Sequence, residues 1–431
     1  MRLLFFVFAL PFTSVVCAAD KPNIVMIIGD DQAWTDYGFM GSKIVETPHL
    51  DNLAKEGLVF ERGYVPSSLC RPSLATMATG LFPHQHGIMS NDPPYPPGVR
   101  PADRMKNEQY LNDRARMVKM FEQSPNLAKL LGRSGYISHQ SGKWWEGNSC
   151  RCGFTEGMTH GDPSKGGRHG DDGLTIGRRG LQPVFDFLDK ARRDGKPFFL
   201  WYAPMMPHSP HNPPARLLEK YVGKTPSIHV ARYWAMCEWF DETVGDLLAK
   251  LEQNGQAANT IVVYLHDNGW IQDPDSPAYA PRSKQSPYDG GLRTPIVIRW
   301  PGKVKPERSS ALASSIDLAP TLLNAAGLKP TKEMTGIDLL DRNAVSKRSV
   351  VFGEVFLHTA VDLEKPKRNL RYRWIVQGRR KLIVPEAGVE PNQTAELFDL
   401  SNDPVERRNL SADHPDLVVA LSKSLDQWWK P

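Results

Sequence analysis

Thr260-Ile261-Val262-Val263-Tyr264-Leu265 is a β-branched apolar run that stops abruptly at His266-Asp267-Asn268-Gly269. An apolar run with no polar alternation reads as a strand buried on both faces, as in a parallel sheet covered by helices. Asn23 to Ile28 has the same texture and ends at Gly29-Asp30-Asp31. Phe198 to Tyr202 is a third such strand, followed by Pro207-His208-Ser209-Pro210-His211; Tyr136 to Ser138 and Pro295 to Trp300 are further strands. Between them lie helical stretches at Ser124 to Leu131, Leu181 to Arg192, and His229 to Gln253. The last carries Trp234, Cys237, Phe240, Val244 and Leu248 at helix-like spacing. Segments 91–104 and 161–173, rich in Pro, Gly and Asp, read as loops. Strands alternating with helices predict an α/β fold with a large, mainly parallel sheet flanked by helices. After about Leu340 the texture changes to short strands at Val350 to Leu357, Trp374 to Gln377, Lys381 to Val384 and Glu396 to Leu400, with a closing helix from Pro415 to Trp429. The expected division is residues 20–340 as a catalytic domain and 341–431 as a smaller C-terminal α+β subdomain.

The chain of 431 residues carries a formal net charge of +5 and 23% charged residues. It has no dense Lys/Arg run, which argues against nucleic-acid binding. Met1-Arg2, an apolar run from Leu3 to Val16 and Cys17-Ala18-Ala19 make residues 1–19 an expected signal peptide, too short for a membrane span. Export to the periplasm or outside the cell follows. Cys150, Cys152 and Cys237 leave room for one disulfide, whose pairing the sequence does not define.

Ligands of open α/β sheets bind beyond the carboxyl ends of the strands. Asp30, Asp31, Asp267 and Asn268 would therefore meet in one cleft. A single acidic pair is more often a cap or a turn. Two such clusters after two strong strands favour a metal, and an all-oxygen set suits calcium first and magnesium second. Cys70 stands where Pro72 and the run Leu74, Met77, Ala78 suggest a helix start. By itself it reads either as a buried structural thiol or as a thiol whose pKa the helix start lowers.

Cys70-Arg71-Pro72-Ser73 followed by Ala75-Thr76-Met77-Ala78-Thr79-Gly80 resembles the signature of the type I sulfatases, of the alkaline phosphatase-like superfamily. The resemblance extends in order along most of the chain. It takes in Asn23 to Asp31, Gly142-Lys143-Trp144, Pro207-His208, His266 to Gly269, Lys284 with Tyr288 to Pro295, and Glu396 to Leu400 with Asp403-Pro404. What the resemblance implies is a sulfuric ester hydrolase. Its nucleophile would be Cys70, oxidised by a maturation enzyme to formylglycine, beside one divalent cation on Asp30, Asp31, Asp267, Asn268 and residue 70. Lys143 and Lys284 would hold the sulfate, and His208 would protonate the leaving oxygen. The substrate would be a sulfated molecule or glycan.

The chain departs from the family pattern twice. Leu74 stands where the family has an arginine, and Trp145 where it has the histidine that serves as base. Arg71, His139, Arg168 and His169 are the alternatives to that histidine. Two other readings stay open: a phosphodiesterase or phosphonate hydrolase of the same superfamily, and a catalytically silent relative that binds sulfated glycans. Trp144, Trp145, Trp201 and Trp270 lie near the site motifs and read either as sugar platforms or as packing.

Overall fold

The computed structural model describes residues 21–165 and 167–431, so the expected signal peptide and Cys17 lie outside the described residues. The large sheet contains β1 (Asn23–Gly29), β2 (Leu58–Tyr64), β3 (Ile137–Gly142), β4 (Glu156–Gly157), β5 (Phe198–Ala203), β6 (Thr260–His266), β7 (Ile296–Arg299) and β8 (Glu307–Ser314). Their order is β4-β3-β5-β1-β6-β7-β2-β8. All pairings are parallel except those of β7, which runs antiparallel to both β6 and β2. Every residue of β5 and β6 is buried, as expected for strands with helices on both faces. Central β1 pairs with β5 and β6 in a register that sets Ile27 beside Tyr202 and Gly29 beside His266. The polar ends of the three strands therefore emerge side by side.

The second sheet is antiparallel, ordered β12-β11-β10-β9, from β9 (Val350–Phe356), β10 (Leu370–Gln377), β11 (Arg380–Pro385) and β12 (Glu396–Asp399). Helix Pro415–Trp428 lays Leu421 and Leu425 on Ile375, Leu382 and Leu397. The opposite face of this sheet sends Trp374, Ile383 and Phe398 into the same core as Ile24 and Phe60. Burying a side chain of this size contributes about 1.5–3 kcal/mol, so the two sheets are held together by shared apolar packing.

Several elements differ from expectation. The helix expected from Ser124 starts at Leu127, because the Asn126 side chain accepts from the Lys129 N–H and caps it. A longer helix, Glu108–Gln123, precedes it. The strands β2 and β8 carry Glu61, Arg62, Glu307 and Arg308 within their runs. They pair with each other at the sheet edge, where one side meets solvent and an unbroken apolar pattern is not required. The described cysteines are all free: Cys152 and Cys237 are buried and Cys150 is exposed, so the possible disulfide is not formed.

His86 gives the fold a pH dependence. It is 2% exposed, accepts the Ile88 N–H at its Nδ1 and lies 3.2 Å from Thr76 Oγ1 through Nε2. Burial pushes its pKa down to about 3 from 6.5. Between these values the unfolded chain binds the proton and the folded one does not, so stability falls as pH drops below 6.5. Taking wild type from pH 7 to pH 5 should cost about 2 kcal/mol through His86 alone. Denaturant unfolding of His86→Asn should show a decline smaller by that amount; an identical decline in both proteins would refute it.

Candidate active site

Asp30 and Asp31 leave β1 with Asp31 at φ 65, a left-handed conformation unusual for a residue with a Cβ. Such strain persists only where the surroundings enforce it. Here the Asp30 N–H donates to Met206 O at 2.9 Å, and the Asp31 N–H to Asp267 Oδ1 at 3.2 Å. Asp267 Oδ1 also accepts the Asn268 N–H at 2.7 Å, and Asn268 Nδ2 donates to Asp31 Oδ1 at 2.7 Å. All four residues are buried, each 2% exposed or less. Asp30 Oδ2, Asp267 Oδ2 and Asn268 Oδ1 are buried and accept no hydrogen bond among the described residues. Buried polar atoms without partners are costly. Three unpartnered oxygens converging from two strand ends fit a hard cation. Ligand-capable atoms of Asp30, Cys70 and Asp267 lie within 4.8 Å of one another, as do those of Asp30, Asp31 and His208.

Cys70 is the first residue of helix Cys70–Thr79 and is 2% exposed. The helix start predicted a lowered thiol pKa. The structure reverses that: burial, with help from Asp267 and Asp31, pushes the thiol up to about 12 against Lys143 and Lys284. An unmodified thiol here would be protonated and a poor nucleophile at neutral pH.

Lys143 follows β3, where Gly142 has φ 84 and a Cβ would meet Ala203 O at 2.0 Å, so only glycine brings the strands this close. Lys143 Nζ lies 2.7 Å from Asp30 Oδ1 and 3.7 Å from Asp267 Oδ2. Lys284 Nζ lies 2.6 and 2.8 Å from the two oxygens of Asp31. Burial opposes the charge of both lysines, but the acidic cluster outweighs it and holds them protonated. His208 Nδ1 lies 2.7 Å from Ser209 O, and Nε2 lies 3.4 Å from Asp31 Oδ2. A carbonyl only accepts, so Nδ1 carries the hydrogen. Burial holds the His208 pKa below its ordinary value even though Asp30 and Asp31 pull upward.

The second sheet fixes the Lys284 loop. Lys381 Nζ sits 2.8 Å from both Asp289 and Glu406, and Arg371 Nη1 donates to Gln285 O at 2.9 Å. Gln285 N–H donates in turn to Ser68 O at 2.9 Å, beside the Cys70 helix. These long-range partners carry no local signal, and the sequence reading did not find them.

The sulfatase family model matches residues 22–328, and the model of the N-sulphoglucosamine sulphohydrolase C-terminal region matches residues 282–430. The chain belongs to the sulfatase family. Its reaction class is therefore sulfate ester hydrolysis. Among related proteins, N-acetylgalactosamine-6-sulfatase of Canis lupus familiaris is 29% identical over 75% of this chain and 66% of its own length. The ulvan-active sulfatase of Formosa agariphila is 26% identical over 95% of this chain and 75% of its own. The crystal structure of Ps i-CgsB with k-i-k-neocarrahexaose shares the fold, with a TM-score of 0.74, 23% identity, and 95% and 93% of the two chains covered.

The structure brings the side chains singled out in the sequence into one cluster: Asp30, Asp31, Cys70, Lys143, His208, Asp267, Asn268 and Lys284. The two departures are absorbed differently. Leu74 is 4% exposed and packs in the core. Trp145 is 3% exposed, with its ring 5.1 Å from that of His169 and the Arg168 guanidinium 4.6 Å above it. Three of the four alternatives to the missing histidine are engaged elsewhere. Arg71 is fully buried against Glu146 at 2.7 Å. His139 stacks on Phe187 and pairs with Glu156. Arg168 pairs with Asp92. His169 remains: its backbone O accepts the Trp144 N–H at 3.1 Å, and its Nδ1 is buried with no partner among the described residues. Burial, then the charges of Lys143, Arg168 and His208, keep this ring neutral. Trp144 and Trp201 pack edge to face at 5.5 Å inside the core, so neither serves as an open sugar platform.

Proposed function

We propose that this chain is an exported enzyme that releases sulfate from a sulfated carbohydrate, using Cys70 as formylglycine and one divalent cation, calcium ahead of magnesium. The support is the set of buried, unpartnered oxygens of Asp30, Asp267 and Asn268 around Cys70, flanked by two lysines. When present, the cation and the modified residue together supply a polarised hydroxyl nucleophile at position 70. Asp30, Asp31, Asp267 and Asn268 would hold the cation. Lys143 and Lys284 orient the sulfate and offset the charge growing on its oxygens. His208 acts as the acid in its doubly protonated form: Nδ1–H stays anchored on Ser209 O while Nε2, beside Asp31, gives its proton to the departing oxygen. His169 takes the base role that the family gives to the residue replaced by Trp145. The carbohydrate class is suggested by the substrates named for the dog and Formosa agariphila relatives. Residues 341–431 are proposed as a subdomain that supports the Lys284 loop. Export, to the periplasm or beyond, rests on residues 1–19, and conversion of Cys70 requires a maturation enzyme as partner. Among the described residues no helix is long and apolar enough to cross a membrane.

The acid role is tested with two substrate types. His208→Ala should lower kcat/KM on alkyl or sugar sulfates about a hundredfold or more, and on 4-nitrophenyl sulfate about tenfold or less, because a good leaving group needs little protonation. Equal losses on both would remove His208 from proton transfer.

A further inference from the structure

Beside the metal cluster lies a second polar cluster that the sulfate chemistry does not use. Its centre is Asp92, whose side chain is 0% exposed. Arg168 Nε donates to Asp92 Oδ1 at 2.7 Å and Nη2 to Oδ2, a two-pronged pairing; the Tyr110 hydroxyl donates to Oδ1 at 2.7 Å. The carboxylate is thus saturated and fixes the guanidinium plane. From the other face, the Trp145 ring supports Arg168 at 4.6 Å. Arg168 Nη1 makes no hydrogen bond among the described residues, and the side chain keeps 16% exposure. A held arginine with an open donor is built to receive an acceptor.

His358 comes to the same place from the second sheet. Its Nδ1 lies 3.9 Å from Asp92 Oδ2. Asn91 Oδ1 accepts the Arg71 N–H at 2.9 Å, so Asn91 turns its Nδ2 to His358 Nε2 at 3.2 Å. That amide leaves the His358 proton on Nδ1. The same link ties His358 to the residue next to Cys70, and the ring is 37% exposed. Burial lowers its pKa against the pull of Asp92, and the charges of Arg168 and Lys284 add to the lowering.

Resting on the sulfatase reading above, we infer that Arg168, with the His358 ring on the far side of Asp92 as part of the wall, supplies a second anion subsite, which takes a carboxylate or a further sulfate carried by the same substrate. The substrate is then an acidic or multiply sulfated glycan rather than a neutral sugar with one sulfate. Trp145 is explained by the same arrangement: the position that carries a catalytic histidine in the family pattern here carries the platform for the specificity arginine.

The test uses the calcium-loaded Cys70→Ala chain, which binds without turnover. Calorimetry compares phenyl sulfate with meta-carboxyphenyl sulfate and with resorcinol disulfate. At least one dianion should bind about tenfold or more tighter than phenyl sulfate, and whichever does names the second group as carboxylate or sulfate. Adding Arg168→Gln with Asp92→Asn replaces the ion pair by an amide pair, leaves no buried charge alone, and should reduce the preference to about threefold or less. No preference in the parent, or a preference unchanged in the variant, overturns the subsite. Sulfate release from phenyl sulfate by the chain with Cys70 intact tests the sulfatase reading separately, because the binding ratio does not depend on turnover.

Discussion

Cys70→Ala should lower sulfate release from aryl and sugar sulfates by a factor on the order of 10⁵ to 10⁶, the scale seen when a covalent nucleophile is removed. The substitution takes away one sulfur at a helix start inside the core, so the fold should survive with a modest fall in Tm. Lys143, Lys284 and His208 keep their partners, since none of them hydrogen-bonds to Cys70. Substrate binding should therefore persist while turnover disappears. The companion measurement is the mass of the peptide spanning Cys70 from the native source. A thiol whose pKa is pushed up to about 12 is not a nucleophile at neutral pH, so an active preparation should carry the aldehyde. Unmodified cysteine with full activity would overturn the formylglycine reading. Unmodified cysteine with no activity would favour a silent binding protein.

Asp267→Asn should release the cation and reduce activity by about a hundred- to a thousandfold. Asparagine keeps the Oδ1 acceptor that receives the N–H groups of Asp31 and Asn268, so the strand ends stay connected. What disappears is charge. Burial, and then the neighbouring Asp30, push the Asp267 carboxyl pKa well above the usual range, and Lys143 offsets only part of this. A bound cation removes that penalty. Wild type should therefore lose thermal stability when stripped with chelator, whereas Asp267→Asn should show little chelator response. Elemental analysis gives the direct count: one calcium per wild-type chain, with magnesium as the substitute, and little of either in the variant. Stoichiometric zinc that survives the substitution would refute the oxygen-ligand site.

The strands β1, β5 and β6 were legible because burial on both faces leaves an uninterrupted apolar run, a purely local signal. Their polar ends could be placed in one cleft because a parallel sheet sends all its carboxyl ends the same way. That rule reaches only Asp30, Asp31, Asp267 and Asn268; Lys143, Lys284, Cys70 and His208 stood out in the sequence by their resemblance to the sulfatase motifs, not by the sheet. The edge strand β8 and its neighbour β2 were missed because a strand with one wet side mixes Glu61, Arg62 and Arg308 into its run.

Which charged groups are committed to one another was decided only in three dimensions. Arg71 could have served the site, but it is spent on Glu146, a residue far along the chain. Arg168 is fixed on Asp92 and Trp145 with only Nη1 left over, while His169, next to it in sequence, keeps an open ring nitrogen. The sign of the Cys70 shift also turned on burial, because desolvation inside a packed core outweighs the field of a helix start. Local sequence encodes periodicity and the chemistry at strand ends. Pairing and desolvation depend on which distant side chains fill the space around a group, and only the folded chain determines that.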